Sequence, residues 1–204
     1  MTEILAHPSN FTPGRQRGID RIVVHYTAGD GDTAQNNGMY FSAADRNASA
    51  HYFVDEGEIL LSVREEDTAH HAGTWEMNSR SVGVEMCSKK DGAGRYYIPE
   101  KTVVLTQSLV RQLMEKYKIP ITGVLRHYDV TGKSCPAPMV ENEALWQAFL
   151  RGLKEDAPSP WAEEACRWAV EQNLFLGDGA GRFHWQQPVT REQLAAVLYR
   201  FKTD

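Results

Sequence analysis

The sequence has no long apolar run. None approaches the roughly 18 residues that a membrane-spanning helix needs, so a spanning protein is not expected. The amino terminus, MTEILAHPSNFTPGRQRG, lacks a basic segment followed by an apolar core, which predicts a chain that folds in the cytoplasm without a signal peptide. Positive charge is also short: 22 lysines and arginines face 27 acidic residues, a formal net charge of −5. That balance speaks against a protein that lives on DNA or RNA phosphates. Cysteine is scarce, and Cys87, Cys135 and Cys166 are widely scattered. Such an odd, dispersed set does not make the disulfide framework of a small secreted domain, and it leaves thiols for other chemistry.

What is present is a globular composition with interleaved strand and helix patterns. The 204 residues suffice for one domain of common size plus a small appendage. RIVVHYTAG opens with a β-branched run and ends in Gly29, the pattern of a buried strand that carries His25 to its carboxyl end. DTAQNNGMYFSAADRN reads as a helix despite Gly38, and SAHYFVDEGEILLSV as a hairpin turning at Glu56 and Gly57. A polar loop, DTAHHAGTWEMNSR, leads into SVGVEMC, where Val82, Val84 and Met86 alternate with Gly83, Glu85 and Cys87. Glu85 therefore points away from the apolar face.

Leu105, Leu109, Leu113 and Tyr117 make one stripe along a helix, which Pro120 is expected to stop. A short strand over 121–125 and a closing helix in VENEALWQAFLRGLKE complete the domain. The expected fold class is α/β, a central mixed β-sheet flanked by helices over residues 1–155, with a linker at 156–160 and a small helical module at 161–204. In that module Ser159 and Pro160 can start a helix whose Trp161, Ala165, Trp168 and Ala169 share a face. A glycine-rich loop, GDGAGRFHWQQP, follows. Thr190 and Gln193 then form a capping box ahead of a second stripe of Leu194, Leu198 and Phe201. So small a module is expected to lean on the first domain or on copies of itself.

RHYDVTGKSCPAP places His127 and Cys135 on either side of Gly132, close enough for both to reach one ion. Zinc takes imidazole nitrogen and thiolate sulfur, and a catalytic site uses three protein ligands with the fourth position left to water. His25, at the end of the first long strand, is the candidate third ligand. From the residues alone, a packed histidine and an inert small cysteine remain open readings.

Taken in order, RIVVHYTAG, ASAHYFVDEGEI, TAHHAG, SVGVEMC and RHYDVTGKSCPAP resemble the zinc N-acetylmuramoyl-L-alanine amidases of the bacteriophage-lysozyme type, related in fold to peptidoglycan recognition proteins. The resemblance covers the whole first domain. It implies a Zn2+ site at His25, His127 and Cys135, Glu85 as catalytic acid/base, and Lys133 as an oxyanion stabiliser. The branch that relies on this lysine also uses a tyrosine before the histidine of AHY. Ala50 stands there, which shifts the burden to Glu85. His51, His70, His71 and Trp75 are candidates for a substrate rim or for packing and loop hydrogen bonds.

The tail resembles a single S-layer homology module, with Thr190, Arg191, Glu192 and Gln193 at its second helix. That resemblance implies binding of an anionic secondary wall polymer with Arg191 as a contact, or self-association into a homo-oligomer. The implied substrate is bacterial peptidoglycan, cleaved between the lactyl group of N-acetylmuramic acid and L-alanine. The implied setting is a phage or prophage endolysin, made in the host cytoplasm and acting on the wall after release. Rival readings are a metal-free peptidoglycan-binding module of the same fold, a cysteine hydrolase built on Cys135 and His127, and an assembly protein built on the tail.

Overall fold

The computed structural model describes residues 1–154, 158, 160–178, 183–185 and 189–203. The chain divides into two units, Met1–Phe149 and Leu150–Asp204. The strands are β1 (Thr2–Glu3), β2 (Phe11–Thr12), β3 (Arg21–Tyr26), β4 (Tyr52–Val54), β5 (Ile59–Leu61), β6 (Thr68–Ala69), β7 (Ser81–Met86), β8 (Lys89–Lys90), β9 (Tyr96–Tyr97) and β10 (Val124–Arg126). The helices are α1 (Ala34–Ala43), α2 (Trp75–Arg80), α3 (Glu100–Tyr117), α4 (His127–Thr131), α5 (Ala137–Glu141), α6 (Glu143–Lys154), α7 (Glu163–Glu171) and α8 (Arg191–Thr203).

Six strands form one mixed sheet in the order β1-β5-β4-β7-β3-β10. β4, β7, β3 and β10 run parallel, and the β4–β5 hairpin supplies the antiparallel pairing. This is the expected α/β architecture, a mixed sheet flanked by helices. β3 and β7 hold its centre because their Ile22, Val23, Val24, Val82 and Val84 are fully buried, as strands covered on both faces require. Two helices cover opposite faces. The Phe53 ring stacks on Phe41 of α1. The adjacent Tyr52 hydroxyl bonds Glu65, which also takes Tyr117 and Lys116 of α3. Neighbours on a strand point to opposite faces, so α1 lies on the Phe53 side and α3 on the Tyr52 side.

Several local expectations shift. α3 buries Thr102, Thr106, Leu109, Val110 and Leu113, while Leu105 and Tyr117 are only half-buried. The helix stops because Lys118 turns left-handed and returns its N–H to the Met114 carbonyl, ahead of Pro120. The strand expected over 121–125 is instead a 3-10 turn, Ile121–Gly123, followed by β10. The closing helix is broken at Asn142, whose side chain accepts from the Ala144 N–H at 3.1 Å and so starts α6. The histidine-bearing loop contains α2, capped by Thr74 accepting from Met77 N–H at 3.3 Å.

In the second unit the Thr190–Gln193 capping box forms, with reciprocal bonds of 2.8 and 3.1 Å. Its two helices touch through Trp168 and Phe201, at 6.5 Å between ring centroids, and Arg200 donates to the Leu174 carbonyl at 2.7 Å. Ala169 is buried, but Trp161, Ala165, Trp168, Leu194, Leu198 and Phe201 are exposed, because two short helices have too little chain to cover them. Ser159, most of the linker and most of the glycine-rich loop lie outside the described residues.

Candidate functional site

Three adjacent parallel strands deliver the site. β10 pairs with β3 so that Arg126 lies beside Val24. The next residues, His127 and His25, therefore meet at the carboxyl edge of the sheet, with ring centroids 4.8 Å apart. On the other side of β3, His25 pairs with Glu85 of β7, so both side chains share one face.

The chain then returns with Cys135. Asp129 accepts from the Arg126 N–H at 2.8 Å and starts the single turn of α4, and Gly132, at a φ of 78°, ends it in the left-handed conformation. The Tyr128 N–H donates to the Cys135 carbonyl at 2.9 Å and closes the loop. Arg126 braces it, donating to Asp129, to the Met139 carbonyl and to Glu143 at 2.7 to 3.2 Å. Ligand atoms of His25, His127 and Cys135 come within 4.8 Å of one another. The Cys135 sulfur lies 3.7 Å from His25 Nδ1.

The donor set fits a zinc ion. All three side chains are buried, and His127 Nδ1 is shielded from solvent without a partner among the described residues. Such an orphaned buried nitrogen is costly unless something binds it. Burial, with neighbouring histidines and Lys133, holds His25 well below the ordinary histidine range, and burial followed by Lys133 lowers His127. Both rings are thus neutral and able to coordinate. Burial also pushes the Cys135 thiol up to about 12, with a further push from Glu85.

Glu85 is also poised. Its Oε2 is shielded and has no hydrogen-bond partner among the described residues. Burial pushes its carboxyl up to about 8, against the pull of the Lys133 ammonium and with a push from Asp32. Lys133 itself is exposed, and its charge is felt at His25, His127, Glu85 and Cys135.

The remaining candidates separate. Trp75 is exposed, its Nε1 3.3 Å from Gln16 Oε1. His70 bonds Thr12 Oγ1 at 3.0 Å. His51 is wholly buried: its Nδ1 accepts from the Gly83 N–H at 2.9 Å, and its Nε2 lies 2.6 Å from Arg15 and 3.3 Å from the Asp67 carbonyl. His71 contacts His25 through one nitrogen and Ser81 through the other. Protein groups engage both nitrogens of the His51 and His71 rings, as the packing and hydrogen-bonding alternative expects. Arg191 is exposed at the start of α8. The sequence reading gave no role to Arg126, Ser81 or Gly83. Only the glycine within a β-branched run hinted at a close approach.

The profile of the N-acetylmuramoyl-L-alanine amidase family matches residues 15–138, from Arg15 through the whole of the loop that carries Cys135. The chain belongs to this family. It is 35% identical over 162 residues to the amidase BlyA of Bacillus subtilis (strain 168), covering 70% of this chain and 43% of BlyA. Against a probable N-acetylmuramoyl-L-alanine amidase of Bacillus licheniformis it is 37% identical, covering 85% of this chain and 53% of that protein. The chain thus spans about half the length of these relatives or less. Among solved structures, a mutant endolysin from Bacillus subtilis superposes with a TM-score of 0.64 at 27% identity, covering 74% of this chain and 97% of that one. The amidase fold is therefore that of the first unit.

Proposed function

We propose that this member of the amidase family is a zinc-dependent peptidoglycan hydrolase, cleaving the amide between the lactyl group of N-acetylmuramic acid and L-alanine of the stem peptide. The observation that carries this reading is the convergence of His25, His127 and Cys135 within 4.8 Å of one another, inside the segment that matches the family. The imidazoles of His25 and His127 and the sulfur of Cys135 would hold the metal. When bound, zinc supplies a Lewis acid that lowers the pKa of water toward neutrality and polarises a carbonyl.

The chain's own groups do the rest. Glu85, on the sheet face beside His25, takes a proton from the attacking water on its carboxylate and returns it to the departing alanine nitrogen. Lys133 places an ammonium where the carbonyl oxygen gains charge. Cys135 serves as a ligand and not as a nucleophile. Trp75, which is exposed, is the proposed sugar or peptide contact.

We assign residues 1–155 to the catalytic domain, 156–160 to a linker and 161–204 to an S-layer homology-like module. In that module Arg191 contacts an anionic wall polymer, or exposed apolar helix faces mediate self-association. Among the described residues no helix is long and apolar enough to cross a membrane. The proposed setting is that of an endolysin reaching the wall after release from the cytoplasm.

Digestion of purified peptidoglycan, followed by mass analysis, tests the reaction. The expected products are lactyl-muramic sugars with a free carboxylate and stem peptides with a new L-alanine amine, with activity lost to a chelator and restored by zinc. Cleavage confined to glycan linkages or peptide cross-links contradicts the assignment, and binding without cleavage favours a recognition module.

A further inference from the structure

His71 and Ser81 form a hydrogen-bond chain behind His25 whose direction can be read from its far end. The Ser81 hydroxyl lies 2.6 Å from the Met77 carbonyl. A carbonyl only accepts, so the hydroxyl hydrogen is used there. Ser81 Oγ is also 3.1 Å from His71 Nε2, and this contact must be an N–H donation from the ring. A neutral imidazole carries one hydrogen. His71 Nδ1 is therefore the acceptor for His25 Nε2, at 3.0 Å. That leaves a lone pair on His25 Nδ1, the nitrogen that lies 3.7 Å from the Cys135 sulfur.

The chain has no slack. Ser81 and His25 are almost fully buried and His71 nearly so. The His71 ring lies flat against Gly83, where a Cβ would stand 2.5 Å from His71 Cγ. The Gly83 N–H is held in turn by His51.

We infer that His71 and Ser81 are positioning residues that fix the tautomer of His25, presenting Nδ1 as the metal-binding nitrogen, with Gly83 leaving the room this requires. This rests on the proposed reading of His25 as a zinc ligand. Outer groups of this kind commonly change metal affinity about 10- to 100-fold when removed.

The test uses the full chain with 15N-labelled histidine. In the metal-free wild type, ring 15N shifts should show His25 protonated at Nε2. Ser81→Ala and His71→Leu should each populate the Nδ1-protonated form and weaken zinc about tenfold or more in a chelator competition. His71→Asn, which keeps an acceptor at the Nδ1 position, should stay within a few-fold of wild type. A wild-type His25 protonated at Nδ1, or a His71→Leu variant with unchanged shifts and zinc affinity, would overturn the inference. If His71→Leu does not fold, Ser81→Ala decides by the same two readouts. Failure of wild type to bind zinc would sink the metal reading instead, while the metal-free spectra still judge the hydrogen-bond chain.

Discussion

The Cys135 sulfur sits 3.7 Å from His25 Nδ1 although 110 residues separate them in the chain. The parallel pairing of β10 with β3 carries His127 to the edge where His25 ends, and the short turn of α4 then swings the cysteine back over it. A single loop thus closes a site begun near the start of the domain, and each element of that loop has a testable consequence.

Cys135→Ser replaces a soft thiolate with a hydroxyl that zinc holds poorly. Zinc affinity should fall by more than the roughly 10- to 100-fold typical of outer-shell changes, measured by chelator competition. Retained affinity would mean that the sulfur is not a ligand.

Glu85→Gln should lower the rate about 10²- to 10⁴-fold, with zinc affinity within a few-fold of wild type. The metal-free protein gives an independent readout. The folded carboxyl keeps its proton up to about 8, whereas a free glutamate loses it near 4.5. Between those values the folded state binds more protons than the unfolded one. The stability this group contributes is therefore full below about 4.5 and lost as pH rises through about 8. Urea midpoints of Glu85→Gln should thus gain on those of wild type as pH rises across that window, and parallel midpoints would place the carboxyl in water.

Lys133→Ala tests the oxyanion role. Loss of one such stabiliser costs about 100- to 1,000-fold in kcat, and a change confined to KM would reassign the lysine to ground-state binding.

Gly83→Ala drives a methyl into the His71 ring, with a 2.5 Å approach to its Cγ. Because that contact is a buried ring and not a flexible chain end, the cost should be about 1–3 kcal/mol of stability, read from urea unfolding. Zinc binding should weaken in parallel. A neutral substitution would show that β7 and His71 can separate freely.

Much of this was legible in the sequence. β3, the hairpin turn at Glu56 and Gly57, α1 and the strand bearing Glu85 follow from β-branched runs, a turn pair and alternation. The resemblance named His25, His127 and Cys135, which the fold brings together. What was hidden depends on partners distant in sequence. The helix break at Asn142 comes from a side chain that caps rather than continues, and α2 was concealed in a polar stretch with no apolar stripe. For His51 and His71 the sequence left a substrate rim and packing equally open. Their roles appear only when Gly83, Ser81 and Arg15 are seen against their rings. In the second unit the pattern showed where helices form.

The most direct test is an anomalous difference map at the zinc edge from crystals of the full chain grown with zinc. A single peak bonded to His25 Nδ1, His127 Nδ1 and Cys135 Sγ, with Glu85 beside it, is the predicted result. A peak elsewhere, or zinc held through His25 Nε2 with His71 displaced, would contradict it.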